Sequence, residues 1–263
     1  MASVMALKER TAIWPWRGDT PPHIPHHLHM PRAFLLPGDP GRVDKAAEVL
    51  EDFHIVGQNR EFRMGVGMID GVEIGICSTG IGGASTEIVM VELAALGVEV
   101  AIRTGGMGAL AQDLSLGDFL IVEEAIRNSG VATFYAEPGE RAVADPIVVQ
   151  ALDATRGALG LPGRIGRCAT ADGYYRAQGR PDHAAGQGEP TILDTLAERG
   201  ADGVEMEAEI VFAVGAALSV RTGAVLAVHA HRRSDGWLED YETTQRNVLR
   251  IGAKAAASAL KQI

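Results

Sequence analysis

From Ala33 onward the chain repeats one pattern: a short apolar run, a glycine-rich break, then a segment whose apolar residues recur at helical spacing. Residues 33–36 lead through Pro37, Gly38, Asp39, Pro40 and Gly41 into a segment with a core face of Val43, Ala46, Ala47 and Leu50. Residues 73–77 lead through Thr79, Gly80, Ile81, Gly82 and Gly83 to a helix carrying Ile88, Val89, Leu93 and Leu96. The third run, 98–102, is followed by Arg103, Thr104, Gly105, Gly106, Met107 and Gly108. Such alternation predicts an α/β fold in which a central mixed, largely parallel sheet is flanked by helices. All three breaks are expected to be turns gathered at the carboxyl ends of strands, where open sheets bind ligands. Further strands are expected at 118–123, 167–170 and 224–229, and helices at 146–159, 191–199, 207–217 and 243–260.

With 263 residues, 46% of them hydrophobic, the chain can bury one large core, and a single domain is expected over residues 32–263. Residues 1–31 read as an irregular arm, because Pro15, Pro21, Pro22, Pro25 and Pro31 interrupt any period. The arm carries His23, His26, His27 and His29. Without a held scaffold or supporting partners these histidines argue for a mobile or partner-packed segment rather than a metal site. Residues 179–190, rich in Gly, Pro, Asp and His, read as an insertion or flexible loop.

A formal net charge of −10 argues against a nucleic-acid or anionic-membrane surface, which needs a basic excess. An anionic substrate would therefore need a local arginine cluster. Cys77 and Cys168 are too few for a disulfide framework and lack metal-ligand spacing, so a reducing cytoplasm is expected. Met1 to Leu7 is mildly apolar, but Lys8, Glu9 and Arg10 follow, and no apolar run approaches the roughly 20 residues of a membrane span.

Arg103 beside its glycines suits an oxyanion, since glycine lets backbone N–H groups approach a ligand and guanidinium offers a rigid fork of donors. Arg42, after the Gly38 turn, can reach the same anion. Two arginines in ordinary surface salt bridges are the competing reading. Glu205, Met206 and Glu207 mark a strand-to-helix junction where carboxylates can accept from paired sugar hydroxyls, or simply favour the helix dipole. Tyr174, Tyr175, Gln178 and Arg180 place a stacking face, an acceptor and several donors within seven residues, a set suited to a planar base with amide edges. Neither a G-x-G-x-x-G fingerprint nor a P-loop is present, which argues against nicotinamide chemistry.

In order along the chain, Pro37-Gly38-Asp39-Pro40-Gly41-Arg42, Asn59-Arg60-Glu61-Phe62, Ser78-Thr79-Gly80-Ile81-Gly82-Gly83 and Val204-Glu205-Met206-Glu207 resemble the nucleoside phosphorylase family, most closely its uridine phosphorylase branch. The resemblance runs from about Ala33 to the C-terminus. It implies a glycosyltransferase of the pentosyltransferase type that uses inorganic phosphate as co-substrate and requires no cofactor. It also implies a homo-oligomer, a hexamer built as a trimer of dimers with shared active sites. Gly38, Arg42, Arg103 and the position of Gly106 would hold phosphate, with Arg60 supplied by a neighbouring subunit. Glu205, Met206 and Glu207 would bind ribose, and His23 is the best placed of the arm histidines to reach a neighbour's ribose 5′ end. Tyr174, Gln178, Arg180 and Arg232 would face the base. Arg42, Arg103, Glu207 and Arg180 would carry catalysis, and Glu61, Ile81 and Ser85 match that branch's potassium site at the dimer interface.

Two features bear on the substrate. Purine-specific members have an aspartate where this chain has Ala230, which together with Gln178 and Arg180 favours uridine or a 5′-modified uridine. The usual Arg-x-Gly-Thr-x-Gly has Gly106 in place of its threonine, so a hydroxyl donor is lost and bulk beside the ribose is removed. That loss keeps a phosphate-independent nucleoside hydrolase open as an alternative, beside a purine nucleoside phosphorylase and a non-catalytic nucleoside-binding protein.

Overall fold

The computed structural model describes Pro15, Trp16, Gly18, residues 20–184 and residues 186–263. Of the expected arm, residues 1–14, 17 and 19 lie outside the described residues, as does Ala185 of the expected 179–190 loop. The strands are β1 (Ala33–Leu36), β2 (Glu51–Asn59), β3 (Phe62–Ile69), β4 (Val72–Cys77), β5 (Val100–Ala109) and β6 (Phe119–Ile126). They continue with β7 (Ala142–Val143), β8 (Gly163–Thr170), β9 (Gly203–Glu205), β10 (Arg221–His231) and β11 (Gly236–Trp237). The α-helices are α1 (Pro40–Asp44), α2 (Gly83–Ala95), α3 (Pro146–Ala158), α4 (Thr191–Glu198), α5 (Ala208–Ala217) and α6 (Tyr241–Leu260).

One mixed sheet runs β11-β10-β6-β8-β9-β5-β1-β4-β3-β2. Because β10 also pairs with β5, the strands β10, β6, β8, β9 and β5 close into a ring. The pairs β4–β1, β1–β5, β5–β10, β6–β8 and β8–β9 are parallel, whereas β3–β4, β2–β3, β5–β9, β6–β7, β6–β10 and β10–β11 are antiparallel, so the parallel character belongs to the centre of the sheet.

Strand periodicity divides the core. In β1, Phe34 and Leu36 join the layer containing Met90 and Leu93 of α2 and Phe212 of α5. Ala33 and Leu35 join the opposite layer, with Val148 of α3 and Leu249 and Ile251 of α6. Each such fully buried large side chain contributes roughly 1.5–3 kcal/mol. Helix starts follow local chemistry. Asp39 accepts from the Gly41 N–H ahead of α1, Asp145 from the Ile147 N–H ahead of α3, and both helices open on proline.

Two expectations need correction, and one hairpin was not expected at all. The helix expected after Gly41 is divided, with α1 giving way to a 3-10 turn at Lys45–Glu48. The hairpin β2–β3 has no counterpart in the apolar pattern, because β2 is largely exposed and Gly65 and Gly67 of β3 make room for Phe53 and Leu50. Most consequentially, residues 104–108 are not a turn. They continue β5, pairing in parallel with Val225 to Ala230 of β10. Among the described residues no helix is long and apolar enough to cross a membrane.

Candidate active site

Two adjoining clefts open beside the carboxyl-terminal half of β5. One, of about 810 Å³, is lined by residues including Gly38, Arg42, Glu61, Arg103, Glu207 and His229. The other, of about 310 Å³, is lined by residues including Tyr174, Gln178, Arg180, Met206, Trp237 and Tyr241. Ile81, Arg103, Gly106, Glu207 and His229 line both and form the seam between them.

Arg103 is buried and held by two carboxylates: its Nε donates to Glu205 Oε2 at 2.7 Å, and its terminal nitrogen pairs with Glu207. Burial opposes its charge, but Glu207 and Glu205 more than offset this and raise its pKa. Glu207 Oε1 also accepts from the Gly82 N–H at 2.6 Å, which ties the β4–α2 turn to the β9–α5 junction. Burial pushes the Glu207 carboxyl up against the opposing pull of Arg103. Arg42 donates to the Thr104 carbonyl at 2.9 Å, yet its Nε is buried without a partner. Burial, and then Arg103, lower the Arg42 pKa. Arg42 lines the larger cleft and brings a buried cation to it, suited to an oxyanion.

Beyond the seam, Arg180 lies over the Tyr174 ring, 3.9 Å from its centroid, and donates to Gln178 Oε1 at 2.5 Å. Arg232 donates to the same oxygen at 3.3 Å and to the Gln178 carbonyl at 2.9 Å. Both guanidinium pKa values are lowered by burial first, and at Arg232 the Arg180 charge lowers it further. Two cations held around one amide give this end of the site a positive field.

The expected residues do not all fall where the sequence suggested. Gly38, Arg42, Arg103, Gly106, Tyr174, Gln178, Arg180, Met206 and Glu207 line one or both clefts. Glu205 lines the smaller one, but its oxygens are spent on Arg103, Thr170 Oγ1 and the N–H groups of Glu207 and Ala208. It therefore orients Arg103 and caps α5, so its expected contact with a sugar is corrected to a positioning role. Arg232 is not among the residues lining either cleft and acts on the smaller one through Gln178. Arg60, left-handed with φ 52° at the tip of the β2–β3 hairpin, is exposed and outside both clefts. His23 is paired with the buried Glu92 at 2.6 Å, and the neighbouring Ile24 N–H bonds the same carboxylate at 2.8 Å. This fastens the described end of the arm onto α2.

Gly106 does not leave open space. A Cβ there would lie 2.1 Å from His229 Nδ1, one at Gly105 would lie 2.9 Å from the Arg103 guanidinium, and one at Gly108 would lie 2.8 Å from Arg232 Cδ. The glycines are required by side chains lying over the strand rather than by a turn. His229, Trp237 and Tyr241 are cleft residues that the sequence reading did not single out. Only His229 offered a signal, as a polar side chain within the apolar run of β10.

A sequence model of the phosphorylase superfamily matches residues 32–263, and the chain belongs to that superfamily, as a pentosyltransferase-type enzyme resembling the uridine phosphorylases. It is 36% identical over 203 residues to a uridine phosphorylase of Thermococcus kodakarensis, covering 76% of this chain and 73% of that one. It is 31% identical over 231 residues to a uridine phosphorylase of Salmonella typhimurium, covering 86% and 91%. A guanosine phosphorylase of Halorubrum lacusprofundi is 31% identical over 194 residues, covering 74% and 76%.

Proposed function

We propose that this chain catalyses reversible phosphorolysis of a pyrimidine nucleoside, uridine or a 5′-modified uridine, giving uracil and the corresponding ribose 1-phosphate. The observation that carries this reading is the seam. Arg42 and Arg103 border the larger cleft, Gln178 and Arg180 border the smaller, and Glu207 stands between them.

A phosphate oxygen attacks the anomeric carbon while the glycosidic C–N bond breaks and its electron pair leaves with the base. Arg42 and Arg103 hold the nucleophile, and Glu207 accepts from the 2′ and 3′ hydroxyls. Positive charge developing on the sugar lies beside the bound anion. Negative charge developing on uracil meets Arg180, with Arg232 behind Gln178. One preorganised donor of this kind is worth about a hundredfold in rate or more. No carboxylate occupies the Ala230 position beside the base, so the site favours a base that leaves as an anion over a purine that must first be protonated.

The active unit in this reading is a hexamer, a trimer of dimers, in which Arg60 completes a neighbour's phosphate site. Ile81 is 79% exposed although it lines both clefts, which supports cover by a second subunit. Glu61 and Ser85 approach each other across Gly80, and with the Ile81 carbonyl they make an all-oxygen set suited to a hard cation such as potassium. Three donors are too few for a full shell, so two chains would share the ion. Residues 32–263 form the catalytic domain in this reading, with 1–31 as an appended arm. The buried free thiols of Cys77 and Cys168 fit a cytoplasmic setting.

The guanosine phosphorylase relative favours a second reading, a purine substrate. A panel of uridine, thymidine, inosine, guanosine and 5′-substituted uridines, each with phosphate and with sugar phosphate quantified, separates the two. Uracil with ribose 1-phosphate from uridine is expected. Preferential release of hypoxanthine or guanine would replace the pyrimidine assignment.

A further inference from the structure

We propose that His229 is a phosphate-binding, specificity-determining residue, donating from Nδ1, which stands in the space that a side chain at position 106 would fill, to an oxygen of bound phosphate. The inference rests on the phosphorolysis reading and assigns a donor within that site.

Several independent observations converge on this ring. It lines both clefts, within the seam shared with Arg103 and Glu207. Its Nδ1 stands 2.1 Å from where a Gly106 Cβ would lie, in the cleft that Arg42 also lines. A ring nitrogen and a guanidinium bordering the same cleft can both meet one anion bound there. The parallel register of β5 and β10 slips between Val228 and Ala230, so a bulge falls at His229, a device that re-aims a side chain. The His229 carbonyl accepts from the Leu238 N–H at 2.9 Å, and its ring packs against Tyr241 with centroids 4.9 Å apart. Backbone and ring are therefore both fixed before a ligand arrives.

Protonation suits the role. Burial and then the Arg42 charge push His229 down to about 4, so at neutral pH the ring is uncharged and holds one N–H. Among the titratable and charged groups that line the clefts with it are Arg42 from α1, Arg103 from β5, Glu207 at the start of α5, Tyr241 from α6, and the acidic Asp39 and Glu61. A neutral donor adds a hydrogen bond to phosphate without a third positive charge beside two arginines.

Position 106 and position 229 compete for one volume, and that makes the proposal testable by exchange. Phosphate affinity would be measured calorimetrically without nucleoside, and KM for phosphate and for uridine with it, in wild type, His229→Ala, His229→Gln, Gly106→Thr and the Gly106→Thr/His229→Ala double variant. His229→Ala is expected to weaken phosphate binding about tenfold or more, with KM for uridine changed by less than about threefold. His229→Gln, which keeps an N–H donor, is expected to recover part of that loss. Gly106→Thr is expected to lose phosphate affinity while His229 is present, and to regain it in the double variant, where a hydroxyl replaces the imidazole. Wild-type phosphate affinity in folded His229→Ala, or equal losses for both substrates with no rescue by glutamine, would overturn the proposal. If wild type binds no phosphate and releases base without it, the phosphorolysis reading itself fails. A phosphate-dependent wild type with an indifferent His229 defeats this inference alone.

Discussion

Two glycine-rich segments border the site and use glycine for opposite reasons. In the turn between β4 and α2, Gly80 and Gly82 have φ of 71° and 93°, and Gly82 has ψ 174° with open space where its Cβ would stand. There the backbone demands glycine. In β5, Gly105, Gly106 and Gly108 lie in a paired strand, and what demands glycine is Arg103, His229 and Arg232 lying over them. A turn presents its N–H groups, as Gly82 does to Glu207, whereas a strand stripped of side chains presents space for other residues' functional groups.

The largest effect should come from the strand face. Arg103→Met leaves Glu205 and Glu207 buried without their counterion, with an expected loss of about 3–5 kcal/mol in stability and of measurable base release. Denaturant unfolding and a uracil assay check both. An unchanged midpoint would mean that the two carboxylates do not depend on Arg103.

The next effect is one of pH and belongs to the strand face alone. His229 protonates near 4 in the folded protein and near 6.5 when unfolded, so between those values the unfolded state binds the additional proton. Stability should therefore fall as pH drops through that window, by up to about 3 kcal/mol. In His229→Leu that part of the slope should vanish, as unfolding at several pH values would reveal.

Comparable stability costs of about 1–3 kcal/mol are expected for Gly82→Ala, from strain, and Gly106→Ala, from overpacking. Their rescue should differ. Adding His229→Ala should restore the stability of Gly106→Ala and leave Gly82→Ala unaffected, and rescue of both would erase the distinction between turn and strand. Smallest in free energy, Arg180→Ala lies outside both segments and should lower turnover at least roughly tenfold while leaving phosphate affinity unchanged.

Much of the architecture was legible because its signals are local. Asp-Pro pairs opened α1 and α3, and fully buried apolar runs marked β1, β4, β6 and β10. The β2–β3 hairpin was not, since its outer strand has no buried face to pattern and its inner strand carries glycines where a periodic reading expects bulk. Within the site, Arg42, Arg103, Gln178, Arg180 and Glu207 could be named from short motifs. The competition between Gly106 and His229 could not, because only the β5–β10 register joins residues so far apart in the chain. Nor did the spacing of Glu205 and Glu207 reveal that one carboxylate is consumed by Arg103, Thr170 and the N-terminus of α5 while the other faces the clefts.

The most direct measurement is the initial rate of uracil release from uridine as a function of phosphate concentration, starting from phosphate-free enzyme. A rate that is negligible without phosphate, rises to saturation and yields one ribose 1-phosphate per uracil is predicted. A rate independent of phosphate, with free ribose as the product, would contradict it.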